Sequence, residues 1–180
     1  MIGVYDFCGQ YDWTFEWFRQ NGGEQILHEY WLEAISKDSQ SHAAELIIKN
    51  GFDGMVTYWG HTLKHEGAAY TTSFDGKAFR IDMQECPSKG FLIRNKIGVY
   101  HDYCDHCVGW IGPLLKRAGF VLDQEHNHCG QCWMEIRRID DLTPPRDSTG
   151  PDDVRLRPDW KKPGCKIDAY RHTNDPNDKL

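Results

Sequence analysis

The chain has 180 residues, of which 39% are hydrophobic and 27% charged, and it includes 7 Trp, 8 Tyr and 8 Phe. This composition excludes a disordered chain and predicts a single folded domain with a hydrophobic core. The formal net charge is −6 and no segment is rich in Lys and Arg, so we expect no nucleic-acid partner. The chain also lacks a run of about 18 apolar residues and a secretory signal at its start, which predicts a cytoplasmic protein without a membrane partner.

Helical patterns dominate the first third of the chain. The aromatic segment 11–21 predicts a short helix that ends at the Gly22–Gly23 pair. Apolar residues then recur at three- and four-residue spacing, which predicts a longer helical region ending at Gly51, where glycine can adopt the left-handed conformation. A further helix is predicted over residues 53–66.

The period of the pattern changes to two after residue 69. The runs 70–74 and 77–86 flank an Asp-Gly pair, which is a strong signal for a β-hairpin. The later predicted elements are helices near 89–95 and 101–118 and strands near 120–126 and 131–139. This order predicts an α+β fold, in which N-terminal helices are followed by hairpin, helix and hairpin, and a four-stranded antiparallel sheet packs against the helices.

The second and the last of these strands are predicted to bury one face. Phe79 and Ile81 alternate with Arg80 and Asp82, so one face of the sheet should be apolar and the other solvated. The same alternation in the last strand gives Cys132 a structural interpretation as a core residue.

The chain divides into a folded part, residues 1–140, and a C-terminal part, residues 141–180. The C-terminal part is rich in Pro, Asp, Lys, Arg and Thr and has little periodic apolar character. We therefore expect an extended tail, which wraps either the body of the domain or a partner subunit in a homodimer.

Seven cysteines occur at positions 8, 86, 104, 107, 129, 132 and 165. Because the number is odd and no export signal precedes them, we expect thiols, in part bound to a metal, rather than disulfides. Four of them form two C-x2-C pairs, a pattern that fits a structural zinc site with four cysteine ligands. Because histidines lie beside them, a mixed Cys/His coordination shell with an open position is at least as reasonable as the all-cysteine shell. The predicted ligands of a Zn or Fe ion are Cys104, Cys107, His126, His128, Cys129 and Cys132.

These residues have two further interpretations. Free cysteines are among the most buried residue types, and Tyr103, Trp110 and Trp133 fit core packing as well as the wall of a pocket. A helix N-terminus also lowers the pKa of a thiol, so Cys104 or Cys107 is a candidate for a reactive thiolate without any metal.

Three short motifs in the second half carry a resemblance to a known family. They are Phe79–Pro87 on a strand, Tyr103–Asp105 at the start of a helix, and Gly130–Ile136 on the final strand. Over residues 69–139 they resemble the three-cysteine pattern of the L-2-amino-thiazoline-4-carboxylic acid hydrolase family. The resemblance implies the helix-plus-antiparallel-sheet arrangement of 4-vinyl-reductase-type small-ligand domains, and ring-opening hydrolysis of a C–N bond in a small heterocycle.

The resemblance also implies site residues. Cys86, Cys104 and Cys132 take the positions of the family's cysteines, and Asp105 that of its nearby acid. This chain departs from the pattern by adding further thiols and imidazoles, which implies a metal or substrate that typical members do not hold. The additions are His106, Cys107, His126, His128 and Cys129.

The leading functional hypothesis is a small-molecule hydrolase that opens a C–N bond in a small heterocycle or amide. A Cys- and His-bound ion would lower the pKa of a bound water to about 7, and Asp105 or Glu125 would move the proton. In a metal-free version, Cys104 or Cys107 attacks the substrate beside His106. The predicted substrate contacts are Cys86, His101, Tyr103 and Trp133.

Two other hypotheses stay open. One is a non-catalytic domain that senses a small ligand or a metal, and the other is a purely structural zinc site. Coordination distinguishes them, because four protein ligands closing the shell favour a structural ion, whereas an open position facing a cavity favours catalysis.

Overall fold

The computed structural model describes residues 4–146 and 148–172 and has the α+β architecture that the sequence predicts. Its N-terminal elements are α1 (Val4–Tyr30), a π-helical segment (Trp31–Ser39), α2 (Ser41–Asn50) and α3 (Phe52–His65). Gly23 has a φ of 75° and breaks the helical backbone, which confirms the helix end predicted at the Gly22–Gly23 pair and divides α1 into two helical parts. None of the helices in the described ranges is both long and apolar enough to cross a membrane.

The second half contributes the sheet. Its elements are β1 (Ala69–Phe74), β2 (Ala78–Glu85), α4 (Pro87–Arg94), α5 (Asp105–Arg117), β3 (Phe120–His126), β4 (Cys132–Arg138), a short 3-10 helix (Val154–Leu156) and β5 (Asp168–Tyr170). The sheet is antiparallel with five strands in the order β1-β2-β4-β3-β5. The sheet therefore has one strand more than the four that the sequence predicts, and this fifth strand, β5, comes from the C-terminal part of the chain.

The inner face of the sheet packs against α2, α3 and α5. Phe79, Ile81, Met134 and Ile136 lie on this face and are at most 5% exposed. The alternation in β2 and β4 thus places the core as the sequence predicts.

The outer face of β2, β4 and β3 is buried, which corrects the expectation of a solvated face, whereas the edge strand β1 is largely exposed. Arg80 and Asp82 are only 3% and 6% exposed, because the C-terminal part of the chain packs against them. The backbone N–H of Val154 donates to Asp82 Oδ1 at 2.9 Å, and Trp133 is buried against Val154 and Trp160.

Buried ion pairs replace water on this outer face. Arg80 Nε lies 2.5 Å from Glu135 Oε2, and Arg137 donates to Asp123 on the neighbouring strand. All four side chains belong to residues that are at most 4% exposed. Since a buried charge without a partner is costly, these pairs hold β2, β4 and β3 in register.

Candidate functional site

The two segments that the sequence singles out, 101–107 and 126–132, lie side by side. His126 Nε2 is 3.0 Å from Asp105 Oδ1, and Cys107 and Cys132 line the same cavity. They form two neighbouring centres instead of the single Cys- and His-bound centre that the sequence predicts. One is a cavity over β2 and β4, and the other is a His/Asp cluster at the ends of β3 and β5.

The cavity has a volume of about 350 Å³ and lies between the sheet and the helices α1, α3 and α5. This is within the roughly 300 to 1,000 Å³ typical of small-molecule sites. Its wall is mainly aromatic and aliphatic, and includes Tyr11, Phe15, Trp59, Ile81, Trp110 and Met134. Five predicted site residues also line it, namely Cys86, Tyr103, His106, Cys107 and, from the last strand, Cys132.

A thiol–imidazole pair lies in this wall. His106 Nδ1 is hydrogen-bonded to the carbonyl oxygen of Tyr103, and a carbonyl only accepts, so the proton of the neutral ring is on Nδ1. The lone pair of His106 Nε2 therefore faces Cys107 Sγ at 3.6 Å, and the thiol donates to the imidazole.

Burial determines the charge of this pair. It lowers the pKa of His106 to about 4 and raises the pKa of Cys107 well above its usual value. Burial also raises the pKa of Cys132 and of Cys86. The cavity therefore presents neutral thiols and a neutral imidazole at pH 7.

Hydroxyl groups supply further hydrogen-bonding capacity to the cavity wall. The Ser88 and Tyr103 hydroxyls lie 2.6 Å apart, and Tyr58 Oη donates to Gln40 Oε1 at 2.7 Å. All four residues line the cavity. It thus combines a large apolar wall with a few polar groups, among them the carboxyl of Glu66, which is the usual composition of a small-ligand site.

The second centre consists of Asp105, His126, His128 and Asp168. One side-chain donor atom of each lies within 4.8 Å of all the others. His126 and His128 are 1% and 8% exposed at their side chains, and the carboxylates are 22% and 25% exposed. Although burial opposes ionisation, hydrogen bonds from Lys166 and His128 lower the pKa of Asp168, so this carboxylate is charged at neutral pH.

The cysteines predicted as metal ligands are not part of this cluster. Cys129 forms a disulfide with Cys165, so the predictions that it binds a metal and that the cysteines are all thiols are wrong: a disulfide sulfur offers no thiolate. Cys104, Cys107 and Cys132 are free, yet within the described ranges the only group of three or more converging donors is the His/Asp cluster.

Four other predicted site residues lie outside both centres. Glu125 Oε1 accepts from Arg155 Nη1 at 2.7 Å, and Trp133 packs against Val154 and Trp160 on the outer face. His101 is largely exposed beside Asp102. Cys104 immediately precedes α5 but does not line the cavity, and burial raises its pKa.

Asp168 is the residue of the cluster that the sequence analysis misses. It follows His128 by 40 residues and lies in the C-terminal part, where no periodic pattern or ligand spacing marks it. Ser88 is missed at the cavity for a similar reason, since a single serine after a proline carries no specific signal.

Comparison with known proteins adds no functional assignment. No protein-family model matches the chain, and no curated protein or solved structure gives a significant match.

Proposed function

We propose that the protein binds a compact, mainly apolar small molecule in the cavity between the sheet and α1, α3 and α5. The observation that carries this proposal is the combination of a volume of about 350 Å³ with a mostly apolar wall and a few polar groups. Among the three hypotheses drawn from the sequence, this is the non-catalytic small-ligand domain.

The wall indicates the chemistry of the ligand. Tyr11, Phe15, Trp59 and Trp110 provide flat apolar surfaces, which suit an aromatic or heterocyclic ring. The hydrogen-bonding groups in the wall are the hydroxyls, thiol and imidazole described above and the carboxyl of Glu66, whose pKa is raised by burial. Among the residues that the structure describes, no Lys or Arg lines the cavity, so an anionic group would lose its hydration without gaining a counter-charge. The ligand class is therefore a mono- or bicyclic heterocycle without a negative charge, since the carboxyl of Glu66 also lines the cavity.

A matched pair of variants on α3 tests this proposal. Thr62 lines the cavity, whereas Thr57 is exposed on the same helix, and each hydroxyl donates to the carbonyl four residues earlier. Thr62→Phe should lower the affinity for bound heterocycles by at least about tenfold, because the added ring takes up ligand volume. Thr57→Phe should change it by less than about twofold.

The measurement is calorimetric titration of the wild-type protein and both variants with a panel of uncharged and cationic heterocycles that includes indole, benzimidazole and 2-aminothiazoline. Absence of binding to the whole panel, or equal losses in the two variants, would contradict the proposal. Thermal unfolding of each variant without ligand separates loss of the cavity from loss of the fold.

A second candidate function is hydrolysis of a C–N bond within the same cavity. The observation that favours it is the contact of Cys107 Sγ with the lone pair of His106 Nε2. Sγ would attack the carbon of the C–N bond while its proton passes to Nε2, and Nε2 would return that proton to the leaving ring nitrogen. Water would then cleave the thioester or thioimidate and regenerate the thiol.

Hydrolysis ranks second because of the direction of the two pKa changes. A thiol with a raised pKa must give its proton to an imidazole with a lowered pKa, which opposes formation of the thiolate. If hydrolysis occurs, Cys107→Ser should reduce the release of ring-opened amine by at least about 100-fold, whereas Cys104→Ser should retain most of the rate. Turnover that survives in Cys107→Ser would exclude this mechanism without affecting the binding proposal.

A further inference from the structure

We infer that Asp105, His126, His128 and Asp168 bind one structural Zn²⁺ ion, which fastens the C-terminal part of the chain to the sheet. This inference is independent of the function proposed for the cavity. It rests on the distances within the cluster, on the contact between its two imidazoles, and on the chain segments that the four residues join.

The distances match a tetrahedral zinc site. Zinc bonds to imidazole nitrogen and carboxylate oxygen of about 2.0 to 2.2 Å place neighbouring donors about 3.3 to 3.6 Å apart. In the cluster, His126 Nε2 is 3.0 Å from Asp105 Oδ1 and 3.0 Å from His128 Nε2. His128 Nε2 is 2.9 Å from Asp168 Oδ2 and 3.9 Å from Asp105 Oδ1. Three of these separations are shorter than the zinc values and one is longer, and all four donor atoms lie within 4.8 Å of one another.

The two imidazoles face each other in a way that a cation explains. Each Nε2 contacts a carboxylate and also the other Nε2. If both rings carried their proton on Nε2 to donate to the carboxylates, two N–H groups would meet at 3.0 Å with no acceptor between them. A cation between the lone pairs of His126 and His128 satisfies both nitrogens and contacts both carboxylates, and it would share Asp168 Oδ2 with the Lys166 ammonium 2.6 Å away.

The donor set favours zinc over other common ions. Mg²⁺ and Ca²⁺ prefer six or more oxygen ligands, and Cu²⁺ prefers a planar arrangement. Two imidazole nitrogens and two carboxylate oxygens at tetrahedral distances suit Zn²⁺. The Gln124 side-chain amide lies 3.2 Å from His126 Nδ1 and, with its oxygen toward the ring, can accept the Nδ1 proton of a zinc-bound imidazole.

The chain segments that meet here indicate a structural role. Asp105 is the first residue of α5, His126 the last residue of β3, and Asp168 the first residue of β5. His128 lies in the turn after β3 with a φ of 53°, a conformation that folds its ring back beside His126. Four protein ligands complete a tetrahedral shell and none of them lines the cavity, which is typical of a structural ion rather than a catalytic one.

Zinc binding is tested on untagged full-length protein that has been stripped with a chelator and dialysed. Calorimetric titration with Zn²⁺ should give one equivalent bound, and Co²⁺ should give the intense visible absorption of a tetrahedral site. Asp168→Ala should lower the affinity by at least about 100-fold. Because Asp168 lies on a three-residue edge strand, this variant tests the site without disturbing the core.

His61→Gln is the matched control. His61 and His65 have ring centroids 4.2 Å apart on α3, a one-turn spacing that can bind metal ions weakly. The control should leave zinc affinity unchanged. The inference would be overturned if zinc binding were lost in His61→Gln or retained in Asp168→Ala. It would also be overturned if the wild-type protein bound less than about one tenth of an equivalent at a Zn²⁺ concentration near the dissociation constants of tight structural sites.

Limited proteolysis tests the fastening role. Zn²⁺ should slow cleavage between residues 157 and 167 by at least about fivefold in the wild-type protein. Before a protease can cut this segment, β5 must detach from β3, and Asp168 would then have to release the ion. Zn²⁺ should have no such effect in Asp168→Ala. Tight binding without this protection would show that the ion does not hold the C-terminal part and would overturn the structural role.

Discussion

Arg137→Met is expected to lower the free energy of unfolding by about 3 to 5 kcal/mol, the range found when one partner of a buried ion pair is removed. Arg137 is 4% exposed, and its partner Asp123 is fully buried. Its Nη1 also donates to the backbone carbonyls of Asp141 and Thr143. The substitution leaves a buried carboxylate without its counter-charge and releases the chain that follows β4.

Chemical denaturation measures this loss, and the neighbouring arginine provides the control. Arg138 is exposed and lies over the rings of Phe52 and Phe120, so Arg138→Met should lower stability by less than about 1 kcal/mol. Adding Asp123→Asn to Arg137→Met should restore part of the stability, because the uncompensated charge disappears while the backbone N–H of His172 keeps its acceptor. Equal effects of the two arginine substitutions would contradict the assignment of Arg137 to a buried network.

The buried charges on this face explain one limit of the sequence analysis. The alternation of Phe79 and Ile81 with Arg80 and Asp82 correctly predicts the strand, since period two is a local property of the backbone. Whether the polar face meets water depends on what else covers it. The C-terminal part has too little periodic character to show that it packs there, and the pairing of Arg137 with Asp123 is visible only once β3 and β4 are adjacent.

The elements that form the candidate site are better predicted than the site itself. The sequence places β3, β4 and the helix near 101–118 within a few residues, because their apolar periods and end signals are local. The sequence analysis does not separate the residues that line the cavity from those that form the His/Asp cluster. Successive residues of a helix are about 100° apart, so Asp105 and Cys107 diverge by about 200° and face different neighbours. That argument requires the helix start to be fixed at Asp105, and helix boundaries are uncertain by several residues in a sequence.

Loss of the Cys129–Cys165 disulfide is expected to have an effect of similar size. The two cysteines are 36 residues apart, and opening a loop of that length increases the entropy of the unfolded chain by an amount equivalent to about 3 to 4 kcal/mol. Cys165→Ser should therefore be less stable than the wild-type protein by roughly this amount in chemical denaturation without reductant. Cys104→Ser, which removes a free thiol, is the control and should not reproduce the loss.

Reductant provides an independent check on this prediction. Dithiothreitol should bring the wild-type protein to the stability of Cys165→Ser and leave Cys165→Ser unchanged. Thiol titration of the denatured, non-reduced protein should count five thiols, the number that are free in the structure. A count of seven, the total number of cysteines, together with indifference to reductant, would mean that the disulfide does not form.

The disulfide should also affect zinc binding, because it lies beside the inferred ion. Cys129 follows His128 directly, and Cys165 precedes Asp168 by three residues. With the disulfide intact, Asp168 is held close to the other three ligands before zinc arrives, whereas in Cys165→Ser the ion itself must order that part of the chain. Zinc affinity should therefore fall by about tenfold in Cys165→Ser, since the conformational entropy lost by each residue that the ion must order opposes binding. Coupling between two sites is reciprocal, so bound zinc should make the disulfide correspondingly harder to reduce, whereas in Asp168→Ala added zinc should leave the extent of reduction unchanged.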